Sequence, residues 1–285
     1  MDKQFLLEKT LYERSKRKSA TVRDAIYLVK PLLAEYTARF VTFDDHSITH
    51  SMRVLNNANL LIGDNVKKLN DEEIFLFILA CYAHDLGMGV TDEYYKEHFN
   101  QAVDKKYLEK HPNVSTKQIL RKFHNEYSGI LVRELNEYEH QLSEDEISAL
   151  ALLCRSHRNL DLTDRNLIPT ALKVDDTTVN MAYLSPLLRL ADELDLTNER
   201  QRYADHVDEE QNPFYIEVMA VKKYIERIDI NDEEIIVVFN EYPEHNPMFE
   251  ELKQEIRSEF HYCADIINKE APFSIASQIK SSLAT

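Results

Sequence analysis

The chain has 285 residues, 44% of them apolar, with only 4 glycines, 8 prolines and 3 cysteines. It can therefore build a sizeable core, and its shortage of turn-forming residues favours long helices over a β-rich architecture. The formal net charge of −16 weighs against broad binding to long nucleic acid, which needs a cationic surface, although a single cleft can reverse the field locally.

The opening "MDKQFLLEKTLYERSKRK" has no apolar run of the kind a secretory signal needs, and no stretch is apolar enough to span a membrane. A cytoplasmic protein is expected. Residues 3–18 read as a charged amphipathic helix. A second helix is expected from Thr21 to Phe40, with Val22, Ile26, Val29 and Leu33 on one face and Pro31 as a point of kinking or division. Asp44 or Asp45 in "FDD" can cap the next helix, His46 to Ile62. Asn70 or Asp71 can cap the one that follows, which Gly87 and Gly89 stop. Further helices are expected near 92–104, 115–138, 144–158 and 177–195. After about residue 210, "FYIEVMAVKKYIERIDI" and "EEIIVVFN" flank an Asn-Asp turn and read as strands, followed by a last helix over 247–268. The expected architecture is mainly α: a helical body over 1–210 and a small α+β appendage over 211–285, packed onto it. Cys81, Cys154 and Cys263 lie far apart in helical patterns, without zinc-type spacing, and read as buried thiols.

The informative feature is a set of polar groups within apolar helices. "FILACYAHDLG" is an apolar run that ends in His84 and Asp85, neither of which is stable in an apolar interior without a partner. His50 lies in "ITHSMRVL", one turn beyond His46. His124 lies in "ILRKFHNEYSGILV", His157 ends "ISALALLCRSH", and Asp192 lies in "LSPLLRLADELDL". Singly, each has a structural role open to it; Asp192, for instance, follows Arg189 by three residues and can pair with it. As a set on five helices they point to a metal site, with imidazole and carboxylate ligands suited to Zn, Mn, Fe, Ni or Co and carboxylates also to Mg. No GxxxxGK[ST] phosphate loop occurs.

"HSMRV", "AHDLGMG" and "RLADELD", in that order, resemble the motifs of the HD superfamily of metal-dependent phosphohydrolases, over roughly residues 40–200. "FHNEYSG" and "CRSH" look like the extra histidines of its two-metal members. "CRSHR" has one histidine where the cyclic-dinucleotide phosphodiesterases have a pair, and their Gly-Tyr-Pro signature is missing. The whole pattern is closer to a bacterial HD subgroup found beside GHKL-type ATPase modules. The resemblance implies an HD helical bundle and one divalent metal on His50, His84, Asp85 and Asp192. A second would lie on His124 and His157, with Asp85 bridging. Asp85 and His84 would be catalytic.

The implied chemistry is hydrolysis of a phosphate ester of a nucleotide or similar small molecule by a metal-activated water. A nucleotide-sensing module without turnover is the first alternative and a single-strand nuclease the second. Arg53 and Arg158 are candidate phosphate ligands, with Arg121, Lys122 and Arg155 behind them, because arginine clamps phosphate bidentately. His46 is a candidate substrate-facing or supporting residue. An ATPase module or a second copy of the chain is the expected macromolecular partner.

Overall fold

A computed structural model of the chain describes residues 5–39, 45–99, 103–139, 141–196, 221–243 and 246–284. It is mainly helical with a small C-terminal sheet. Helix α1 (Leu6–Arg14) and helix α2 (Lys16–Arg39) are separated by Ser15 alone, whose extended backbone breaks the helix and whose hydroxyl accepts from Lys18 N–H (3.3 Å). The second helix thus starts earlier than its apolar spacing implies, and it continues through Pro31. The amide of Leu7, at the start of α1, is one of the donors a helix leaves unpaired. It donates to Asn59 Oδ1 at 2.8 Å and so pins α1 to the next helix.

That next helix, α3 (Ile48–Ile62), is capped by Ser47, which accepts from Thr49 N–H, while Asp45 Oδ1 accepts from Ser47 N–H at 2.9 Å. Asp44 lies outside the described residues. His46 therefore sits just before the helix and not in its first turn. Helix α4 (Asp71–Ala83) starts in an Asn70–Glu73 capping box, and every residue from Glu72 to Ala83 is buried. An apolar surface all round makes it the central helix. It ends at His84, and a 3-10 turn, Leu86–Gly89, follows. A Cβ on Gly87 would lie 2.2 Å from the His124 carbonyl oxygen, and one on Gly89 would lie 2.3 Å from that of Leu32. Only glycine permits approaches this close.

The helix expected over 92–104 is broken: α5 (Asp92–Tyr94) runs into a π turn, Tyr95–Phe99. Helix α6 (Lys105–Lys110) then starts beyond Asp104, a buried carboxylate that accepts hydrogen bonds from the hydroxyls of Tyr95 and Tyr127. Helix α7 (Thr116–Glu139) and helix α8 (Glu144–Ser156, with a Ser143–Glu146 capping box) pack closely. A short hairpin, β1 (Leu172–Val174) with β2 (Thr177–Val179), occupies what read as the start of a helix, so α9 runs only over Met181–Glu193.

Strand β3 (Ile225–Ile230) pairs antiparallel with β4 (Glu234–Phe239), as expected. A third strand, β5 (Gln278–Leu283), joins parallel to β4 after helix α10 (Pro247–Glu270). The expected boundary at 210 lies outside the described residues. Phe260, Cys263, Ala264 and Ile267 of α10 belong to the same apolar core as α4 and α9, while Val237, Phe239, Phe249 and Leu252 form a smaller one beneath the sheet. All three cysteines are free and buried. Among the described residues no single helix is long and apolar enough to cross a membrane.

Candidate metal centre

Four helices deliver imidazoles to one carboxylate. His50 comes from the first turn of α3, His84 and Asp85 from the end of α4, His124 from within α7 and His157 from the end of α8. Asp192 comes from the last turn of α9. All six side chains are buried. Asp85 Oδ2 lies 3.3 Å from the Nε2 atoms of both His50 and His84, and Asp192 Oδ1 lies 3.1 Å and 3.9 Å from the same two nitrogens. Asp85 Oδ1 faces the other way, 3.3 Å from His124 Nε2 and 3.6 Å from His157 Nε2. The two carboxylate oxygens thus address two separate histidine pairs.

Each ring is oriented through its other nitrogen. His84, His124 and His157 bond through Nδ1 to the carbonyl oxygens of Cys81 (3.0 Å), Arg121 (2.7 Å) and Cys154 (2.6 Å), always three residues back. His50 Nδ1 bonds Asp195 Oδ2 at 2.6 Å. Carbonyl and carboxylate oxygens only accept, so all four Nδ1 atoms carry the proton, and the four Nε2 lone pairs point inwards.

The consequence is a collision of lone pairs. His50 Nε2 and His84 Nε2 are 3.2 Å apart, and His124 Nε2 and His157 Nε2 are 3.0 Å apart. Asp85 Oδ1 is buried without a hydrogen-bond partner. A second proton on His124 or His157 would relieve this for their pair, but burial opposes it: His124 is pushed down to about 3 and His157 well below its ordinary value, despite the neighbouring Asp85 charge. Burial would raise Asp85, but the surrounding imidazoles, His84 and His46 foremost, outweigh it and hold the carboxyl well below its ordinary range. The cluster is a set of acceptors in need of a cation. The spacing fits one: bonds of about 2.1 Å place neighbouring ligands about 3.0–3.4 Å apart at octahedral to tetrahedral angles. His50–His84–Asp192 and His124–His157–Asp85 are accordingly two of three groups able to hold an ion; the third, His46–His50–Asp85, shares His50 and Asp85 with them.

The remaining candidates separate. His46, half-buried, bonds through Nδ1 to Asp85 Oδ2 at 2.5 Å, and so supports the carboxylate. Arg53, expected against a substrate phosphate, is engaged by protein carboxylates: its Nε donates to Asp195 Oδ1 (2.7 Å) and its Nη2 to Asp45 Oδ2 (3.1 Å). It holds the aspartate that orients His50, because that aspartate is buried and needs a cation beside it. Arg155 Nε donates to Glu126 at 2.7 Å. Arg158 is exposed, lines a cleft and places its charge near His124.

Three supporting residues were missed in the sequence. Asp195 lies three positions after Asp192, a spacing that puts both on one helical face. Asp45 was assigned only to capping. Arg189 Nη2 donates to the carbonyls of Ser156 (2.9 Å) and Leu160 (2.8 Å), and so fixes the turn that carries His157.

A helical bundle that aims histidines and aspartates from successive helices at two ion-sized positions defines an HD-type domain. The HD-CE family model matches residues 33–270, and the chain belongs to that family. No curated protein matches the chain.

Proposed function

We propose that the chain is a dinuclear metal-dependent phosphohydrolase acting on a phosphate ester of a nucleotide or a similar small molecule. The observation that carries this reading is the orientation of four Nε2 atoms towards the two oxygens of Asp85. His50, His84, Asp192 and Asp85 Oδ2 would hold one divalent ion; His124, His157 and Asp85 Oδ1 would hold the other. Bound there, such ions lower the pKa of a water towards neutrality and offset the charge of phosphoryl oxygens.

The chain's own residues supply the rest. Asp85 would serve both ions, and its negative charge would make two adjacent cations tolerable. His46 holds a proton at Nδ1 against Asp85 Oδ2 and so fixes the carboxylate plane. The Asp45–Arg53–Asp195 chain fixes the His50 ring. Apolar residues around the end of α4 exclude bulk water, which strengthens every charge interaction within the site. Arg158, next to His157 and exposed, is placed to meet a substrate phosphate. No side-chain nucleophile is needed, and the cysteines are poor candidates for one: burial pushes the thiols of Cys81, Cys154 and Cys263 up.

The test is metal analysis of the purified protein together with a phosphate-release screen over nucleoside mono-, di- and triphosphates and cyclic nucleotides with Mn²⁺, Mg²⁺, Co²⁺ or Ni²⁺. Release that needs a divalent ion and disappears in Asp85→Ala supports hydrolysis. Bound metal without release from any of these compounds would leave a nucleotide-sensing module in its place.

A further inference from the structure

Beside the metal centre lies a cleft of about 780 Å³ between α6, the start of α7 and the turn after α8. Its charge is the reverse of the chain's. Lys110, Arg121, Lys122 and Arg158 line it, and none of its eleven lining residues is an aspartate or glutamate, although acids outnumber cations 50 to 34 over the chain. A neighbouring cleft of about 450 Å³ shares Arg121 and Arg158 but also contains Glu193, Glu255 and Glu259, so it does not show the same uniform sign.

The cleft has an aromatic wall as well. The rings of Tyr107 and His111 lie 4.4 Å apart between centroids, with His111 exposed, and Lys122 Nζ sits 5.0 Å from the centre of the Tyr107 ring. A flat ring surface beside clustered cations matches a ligand that carries both a base and several phosphate charges. The volume is in the range of small-ligand sites.

Its far wall is the backbone of the metal centre. The carbonyl of Arg121 accepts the His124 Nδ1 proton. Arg158 follows His157 directly, and its carbonyl is held by Asn125 Nδ2 at 3.1 Å.

We propose that the cleft binds a nucleoside polyphosphate, with its phosphates against Lys110, Lys122 and Arg158 and its base against the Tyr107–His111 rings. The proposal stands on the cleft's own residues and does not depend on the metal-centre reading. The chain's strong negative charge favours a small nucleotide over a nucleic acid.

Calorimetric titration of ADP and of pyrophosphate into the full chain, kept metal-free with EDTA at low ionic strength, tests it. Lys110→Glu/Lys122→Glu is expected to weaken both ligands by about tenfold or more, since charge-assisted phosphate contacts are replaced by repulsion. His111→Ala is expected to weaken ADP by about fivefold and to leave pyrophosphate unchanged, as lost stacking requires. Both sites are exposed, and thermal melts confirm that the variants fold. No ADP binding by the wild type, or equal binding by the double variant, overturns the cleft assignment. Equal effects of His111→Ala on both ligands overturn the base contact. A ten-nucleotide oligothymidylate bound more tightly than ADP overturns the nucleotide in favour of single-stranded nucleic acid. Failure of the hydrolase reading appears separately, as absent metal or absent release in a protein that still binds ADP.

Discussion

Helices α4 and α8 each carry a buried polar cluster at both ends, and the two clusters differ in one component. At the N-terminal ends, Lys18 Nζ of α2 reaches Glu72 Oε2 at 2.6 Å and Glu146 Oε1 at 2.9 Å. At the C-terminal ends, His84, Asp85 and His157 meet His50, His124 and Asp192. The second is the more deeply buried, and both clusters are rich in acceptors. The first contains its own cation, a lysine that bridges two carboxylates at helix N-termini, where negative charge is favoured. The second contains only acceptors aimed at one another. The contrast separates a structural ion cluster from a set of acceptors able to hold an ion.

Substitutions at the two ends should therefore have opposite signatures. Asp85→Ala removes a ligand from both ion positions, and metal-dependent phosphate release should fall to background, the largest effect expected. The metal-free protein should still fold, because α4 is held by apolar contacts such as those of Phe77 and Ile78. Lys18→Met should do the reverse. It leaves two buried carboxylates without their counterion and should cost about 3 kcal/mol of folding stability, read by urea denaturation, while metal content per folded molecule stays unchanged. Loss of metal from Lys18→Met, or unfolding of Asp85→Ala, would merge the two roles.

The two clusters were not equally legible in the sequence. His84 and Asp85 stood out because an apolar run has no local use for them, and His50, His124, His157 and Asp192 repeat that contradiction. The Lys18 cluster has no such mark: Glu72 and Glu146 read as ordinary acids at helix starts, and their partner is 54 and 128 residues away. The pairing of Arg53 is hidden for the same reason, since Asp195 lies 142 residues on. In the fold, long helices were visible through apolar periodicity and capping boxes. The β1–β2 hairpin has three-residue strands, too short for alternation to register. Strand β5, "QIKSSL", has only two apolar residues and forms because β4 offers it an edge.

A smaller effect is expected in the supporting shell. Asp195→Asn keeps the size of the group that orients His50 but weakens its hold on the Nδ1 proton, and it removes one of the two carboxylate charges that Arg53 faces, leaving Asp45. Outer partners of ligating histidines typically contribute 10- to 100-fold in metal affinity. A loss of about that size should appear in competition with a chelating indicator, with little change in the melting temperature of the metal-free protein. If only one of two bound ions is weakened, it should be the one on His50, His84 and Asp192. Equal weakening of both would mean that Asp195 acts through Asp85.

The smallest effect is a pH dependence that only the C-terminal cluster should show. His124 and His157 are buried neutral, so the unfolded chain binds protons that the folded chain does not. Stability is then fully present above the ordinary histidine value of about 6.5 and is lost as pH falls through it, down to about 3 for His124. Between pH 7 and pH 6 the loss is about 0.7 kcal/mol for each histidine held neutral, or about 1.4 kcal/mol for the pair. Asp85, whose pKa is also lowered by the site, adds nothing in this window, because its loss comes only below the ordinary carboxyl range. Urea denaturation of the metal-free protein in EDTA at the two pH values measures the difference, and His124→Gln should remove about half of it. A protein equally stable at pH 7 and pH 6 would show that the imidazoles accept protons in the folded state. The Nε2 atoms would then already have a cation, and the C-terminal cluster would resemble the Lys18 cluster more than it differs from it.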